Sequence, residues 1–137
     1  MDITVSTQQG AVPVTVVQPH GDVDASNYAE LVSKVESLQK DGARDFLLDL
    51  SDVPFMSSAG LVALHSIAIL LRGEKPTDPQ SGWAALKSID RSREAGMQKH
   101  LKLLNPQQYV AETFEKAGFT QFFEIYTDLK KAVASFN

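Results

Sequence analysis

Apolar positions along this chain switch repeatedly between short, β-branched runs and longer stripes spaced three or four residues apart. Such switching is the pattern of strands alternating with helices. Residues 3–7 and 12–18, the latter with Val12, Val14, Val16 and Val17, flank a Gln8-Gln9-Gly10 turn signal and read as an antiparallel pair. Pro19-His20-Gly21 closes the second strand, and Asp24, Ser26 and Asn27 offer capping side chains to a helix with Tyr28, Leu31, Val32, Val35 and Leu38 on its apolar face. Gly42 ends that helix. The run 46–50 reads as a buried central strand, and a strongly apolar helix is expected over 58–72.

The pattern then repeats. A strand is expected over 100–104, with Asn105-Pro106 as a cap and a first-turn proline. The following helix buries Val110, Phe114 and Ala117 and stops at Gly118. A last strand over 122–126 leads into a closing helix with Leu129, Ala132, Val133 and Phe136 at i, i+3, i+4 and i+7. Five strands and four helices, with crossovers after the second, third and fourth strands, predict an α/β fold. It is a single domain over residues 1–137 with a mostly parallel sheet and an antiparallel N-terminal strand. Only 73–98 breaks the alternation: Pro76, Pro79, Gly82, Gly96 and many charges mark an inserted loop, with a short helix around Trp83, Leu86 and Ile89.

Composition narrows the function classes. The 137 residues carry a formal charge of −4 and no basic stripe, which argues against a nucleic-acid partner. There is no cysteine, hence no disulfide and no thiolate metal site, and His20, His65 and His100 have no metal-ligand spacing. No cofactor is implied. The first residues lack the pattern of a signal peptide, and the apolar run from Leu61 to Leu71 is too short to span a bilayer, so a cytoplasmic protein is expected.

The chemistry-bearing stretch is Asp49-Leu50-Ser51-Asp52-Val53-Pro54-Phe55-Met56-Ser57-Ser58-Ala59-Gly60-Leu61. It runs from a strand through a polar loop and delivers two serines to a helix start. Open N–H groups, expected from Ala59 to Leu61, and the helix dipole favour negative charge there. No base is aimed at these hydroxyls, Met56 occupies a position where a hydrolase elbow needs glycine, and no Walker loop exists. The chain therefore reads as a non-enzyme whose serine receives a phosphate. The plainer reading of Ser57 and Ser58 is a helix cap.

Gly21-Asp22-Val23-Asp24 after the second strand, Leu48-Asp49-Leu50-Ser51-Asp52-Val53 leading into Met56-Ser57-Ser58-Ala59-Gly60-Leu61, Leu103-Leu104-Asn105-Pro106, Ala117-Gly118-Phe119 and Ile125-Tyr126-Thr127-Asp128 come in an order and spacing that resembles the STAS family. This is the domain of bacterial anti-sigma-factor antagonists and of the cytoplasmic ends of sulfate transporters. The resemblance implies phosphorylation of Ser58, less favourably Ser57, by a serine-kinase anti-sigma factor with a histidine-kinase-like ATPase fold. A phosphoserine phosphatase is the implied counterpart. It also implies a partner-binding surface of Asp22, Asp24, Ser57, Ser58, Ala59 and Gly60. Two positions depart from the family pattern: Ser57 replaces the usual aspartate before the acceptor, and Val62 replaces a frequent glycine. The alternative role is an adaptor subunit of a transport or lipid-trafficking assembly without a phosphorylation cycle. A small-ligand or nucleotide sensor is a third possibility, for which no specific residues stand out.

Overall fold

The computed structural model describes residues 1–72, 98–121 and 123–136. Five strands form one sheet in chain order: β1 (Asp2–Gln9), β2 (Pro13–His20), β3 (Phe46–Asp49), β4 (Leu101–Leu104) and β5 (Ile125–Tyr126). β1 is antiparallel to β2, and every later pair is parallel. Four α-helices are present among the described residues: α1 (Tyr28–Lys40), α2 (Ser58–Leu71), α3 (Gln108–Ala117) and α4 (Leu129–Ala134). The predicted insertion at 73–98 lies outside the described residues, except for a buried Gln98.

Strand alternation divides the core between two faces. Val17, Phe46, Leu48, Leu101 and Leu103 pack with Leu31 and Val35 of α1, Leu64 and Ile67 of α2, and Val110 and Phe114 of α3. The intervening side chains Val14, Val16, Leu47 and Leu104 pack with Ala132, Val133 and Phe136 around α4. This is the two-residue period of a sheet covered on both sides, which is why β3 and β4 read as unbroken apolar runs.

Several boundaries move from their sequence positions, each for a local reason. β2 continues through Pro19 to His20, because its register with β3 covers only residues 15–17 and neither Pro13 nor Pro19 costs a ladder bond there. Asn105 does not cap α3. It adopts a left-handed φ of 50° while its N–H bonds the Tyr126 carbonyl at 2.8 Å, and the helix begins only at Gln108 behind Gln107. Asparagine tolerates that conformation better than most residues. Ala117 is only partly buried. The last strand shrinks to Ile125–Tyr126, because Phe123 leaves the sheet for the core beside Phe119. In α4, Leu129 stays 39% exposed, so its apolar stripe starts at Ala132.

One charged group crosses this packing. Lys102, on the α4 face of β4, is 5% exposed. Its ammonium donates to the carbonyl and hydroxyl of Ser135 at 3.0 Å each, pairs with Glu124 at 2.8 Å, and lies 4.7 Å from the centre of the Phe136 ring. It pins the C-terminal helix to the sheet. The Lys102 hydrogen bond holds the Glu124 carboxyl below its ordinary range. Because the folded carboxyl is the stronger acid, its contribution is present above the unfolded pKa and is lost as pH falls through the folded pKa. Urea titrations of wild type across the acid range are expected to show that loss, and Glu124→Gln to lack that part of it. Lys102→Ala, which strips the ammonium and its buried stem, is expected to cost about 2–4 kcal/mol at neutral pH.

Candidate functional site

The residues singled out in two distant stretches of sequence meet at one end of the sheet. Past the end of β2, Gly21 N–H donates to the Asp52 carbonyl at 2.9 Å and Val23 N–H to the Phe55 carbonyl at 3.0 Å. Ser57 N–H donates back to the Val23 carbonyl at 2.9 Å, and Val23 forms an isolated parallel bridge with Met56. The two loops are thereby fastened by backbone hydrogen bonds. Val23, Val53 and Met56 anchor the seam, each no more than 2% exposed. Asp22 and Asp24 flank the buried Val23, Asp22 exposed and Asp24 partly so.

Gly60 explains how α2 sits so close to this seam. A methyl group there would lie 2.4 Å from Met56 Cγ and 3.0 Å from the Val23 carbonyl oxygen. Gly60 is itself buried, so it sets the approach of the helix and offers little surface to a partner. Gly60→Ala must push the loops apart and is expected to lower stability by about 1–3 kcal/mol in chemical denaturation.

The two serines separate cleanly. Ser57 has the extended backbone of an N-cap, but its hydroxyl makes no cap bond and is buried without a hydrogen-bond partner among the described residues. The capping role anticipated for it is therefore absent. Ser58, the first helical residue, is exposed. Because Leu61 N–H already bonds the Ser57 carbonyl at 3.1 Å, the open donors at this helix end belong to Ser58, Ala59 and Gly60, one residue earlier than the sequence suggests. Ser57→Ala is expected to spare the roughly 1 kcal/mol that removing a true capping serine costs, as read by thermal or urea unfolding.

Asp24 also differs from its expected capping role. α1 starts at Tyr28, and Asp24 instead accepts from the Ser26 hydroxyl at 2.6 Å and the Ser26 N–H at 2.9 Å. These bonds hold its carboxyl below the usual range. Asn27 locks the same turn, with Oδ1 accepting from Asp24 N–H and Nδ2 donating to the Asp22 carbonyl. Both aspartates are thus carried on a braced turn. Asp52 is held by His20, whose Nδ1 lies 2.5 Å from the carboxylate while Nε2 meets the Thr4 hydroxyl at 2.7 Å.

Two surface aromatics also meet at this end. Phe55, 38% exposed, and Tyr109, 55% exposed, face each other with ring centres 5.8 Å apart. Beside them is a shallow groove of about 350 Å³ lined by Leu61, Tyr109, Glu112, Thr113, Lys116 and Ala117. Gln107 Nε2 reaches the Ser51 carbonyl at 2.9 Å and ties the entry of α3 to the loop after β3. Sequence reading had one clue to Phe55, an aromatic between a proline and the serines, and none to Tyr109.

The STAS domain profile matches residues 2–75, more than half of the chain. The chain belongs to the STAS domain family. Its fold is shared by solved structures of anti-sigma factor antagonists. A Mycobacterium paratuberculosis antagonist is 18% identical with a TM-score of 0.64, the match covering 98% of this chain and 93% of that one. A Thermotoga maritima protein assigned the same role is 18% identical with a TM-score of 0.63, covering 95% and 90%. The Bacillus cell fate determinant SpoIIAA in its phosphorylated form is 14% identical with a TM-score of 0.53, covering 96% of each chain. No curated protein sequence matches the chain. Among the described residues, no helix is long and apolar enough to cross a membrane.

Proposed function

We infer that this protein is a phosphorylation-controlled binding module in a partner-switching pathway, an anti-sigma-factor antagonist without a reaction of its own. The observation that carries the reading is the exposed Ser58 hydroxyl at the open end of α2, on a surface braced by the Val23 seam. Unphosphorylated, this surface docks on a serine-kinase anti-sigma factor and sequesters it. The kinase transfers the γ-phosphoryl group of ATP to Ser58 Oγ, and the complex dissociates. A phosphoserine phosphatase resets the cycle. The existence of a phosphorylated form of SpoIIAA, which shares the fold, supports the same chemistry here.

The switch lies in the interface and not in the fold. Phosphate adds about −1.5 to −2 charges. The N–H groups of Ser58, Ala59 and Gly60 and the helix dipole stabilise that charge in the free protein. In the complex the same dianion must be desolvated on a surface that already carries Asp22, Asp24 and Asp52. Without an opposing cation this costs several kcal/mol, enough for roughly a hundredfold weaker binding. Phe55 and Tyr109 supply the apolar contact beside the charge-sensitive point.

Mass spectrometry after incubation with the cognate kinase and ATP is expected to place the phosphate on Ser58. Modification on Ser57, or none at all, would overturn the assignment, the latter in favour of an adaptor without a cycle. In calorimetric titration, Ser58→Ala keeps binding and resists release, whereas Ser58→Glu binds more weakly while its stability stays within about 0.5 kcal/mol of wild type. Phe55→Ala, which leaves the charge of this surface unchanged, is expected to weaken binding about tenfold or more.

A further inference from the structure

The two open edges of the sheet are built in opposite ways. β5 is two residues long and is bracketed by Glu124 and Asp128. β1 is eight residues long, pairs among the described residues with β2 alone, and has six of its eight residues exposed. Sheet edges on protein surfaces are ordinarily blunted by charge, proline or a bulge. β1 has none of these from Ile3 onward: Ile3-Thr4-Val5-Ser6-Thr7-Gln8-Gln9 is uncharged, and its pairing with β2 is continuous from Asp2↔His20 to Gln9↔Pro13.

The register identifies which backbone groups stand open. Thr15 N–H bonds the Asp45 carbonyl on the β3 side, so the odd-numbered residues of β2 point their backbone groups away from β1. Their partners in β1, Ile3, Val5, Thr7 and Gln9, must point theirs outward, since neighbouring residues of a strand alternate in direction. Four residues therefore present four N–H and four C=O groups at the open edge.

We propose that β1 pairs antiparallel with β1 of a second copy of this chain, joining two five-stranded sheets into one ten-stranded sheet. The two-fold axis passes at Ser6. In that register Ile3 faces the partner's Gln9 and Val5 the partner's Thr7, so all eight outward groups on each strand are matched. Thr4 faces Gln8, Ser6 faces Ser6, and Asp2 falls opposite the turn residue Gly10. No like charges meet, although each chain carries a net −4. A self-complementary patch of this kind closes as a two-fold dimer and does not propagate. The contact is about 27 Å long and one sheet thick, on the order of 300 Å² per partner, which places it among weak, concentration-dependent dimers.

Sedimentation equilibrium of the full chain tests this, with variants chosen to spare the fold. Wild type is expected to be monomeric when dilute and to shift toward twice the monomer mass at about 1 mM. Thr7→Pro removes an outward N–H without touching the β2 ladder, and Ser6→Lys sets two ammonium groups across the axis. Each is expected to weaken the dimer about tenfold or more while circular dichroism shows the same fold. The chain has no cysteine, so Ser6→Cys introduces a single thiol. Across the axis the two Cα atoms lie about 4.5 Å apart, within disulfide range, so mild oxidation crosslinks the Ser6→Cys variant far faster than an exposed Ser37→Cys control. A wild type that stays monomeric at that concentration overturns the proposal. So does a dimer indifferent to Thr7→Pro and Ser6→Lys, or crosslinking no faster than the control.

Discussion

The candidate site depends on a backbone seam between two loops that are about thirty residues apart in sequence. Val23 donates to Phe55 and accepts from Ser57, and Gly21 donates to Asp52. The seam carries the hydrogen-bonding side of β2 past the end of the sheet, and it places the Asp22–Asp24 turn beside the entry of α2. Apolar burial holds it shut: Val23, Val53 and Met56 are sealed under it, and the missing side chain of Gly60 lets α2 close over them. Buried backbone groups that lose their partners pay a desolvation penalty of about 1–3 kcal/mol each. The loops therefore behave as one surface, and the phosphate proposed for Ser58 would be presented on a fixed platform.

That rigidity bears on which hydroxyl could take a phosphate. A hydroxyl buried in the seam, as in Ser57, is a poor place to add a dianion, because its neighbours would have to part. Ser58 is one residue further on, already in solvent and among open helix donors. The replacement of an aspartate by Ser57 in the family pattern removes a carboxylate from the position next to Ser58, the proposed acceptor, leaving Asp22, Asp24 and Asp52 to set the local charge. The far ends of the fold are organised independently. Lys102 pins α4 to one sheet face, and the uncharged edge of β1 lies on the opposite side of β2 from β3.

The sequence made the architecture legible because its signals were local and mutually consistent. The apolar periods of residues 28–38, 46–50 and 58–72 each specify one element, and the crossovers follow from their order. Signals that depend on tertiary pairing were not legible. Pro19 reads as a strand end, and only the register of β3 shows that its missing N–H costs nothing. Asn105-Pro106 reads as a helix start, whereas the ladder to Tyr126 claims Asn105 and delays α3. For the site, the serine motif marked the right helix entry. Which hydroxyl is buried, why Gly60 must be glycine, and the meeting of Phe55 with Tyr109 are all contacts between segments that no local pattern encodes.

Hydrogen exchange at single-residue resolution tests the seam most directly. The amide protons of Gly21, Val23 and Ser57 lie in stretches that are loops by sequence. If the seam is the fixed platform described above, they exchange as slowly as those of neighbouring β2 and β3 residues, and they remain protected when Ser58 carries phosphate. Exchange at the rate of an open loop in either form would contradict the account, because the two loops would then not form one surface on which a single serine could act.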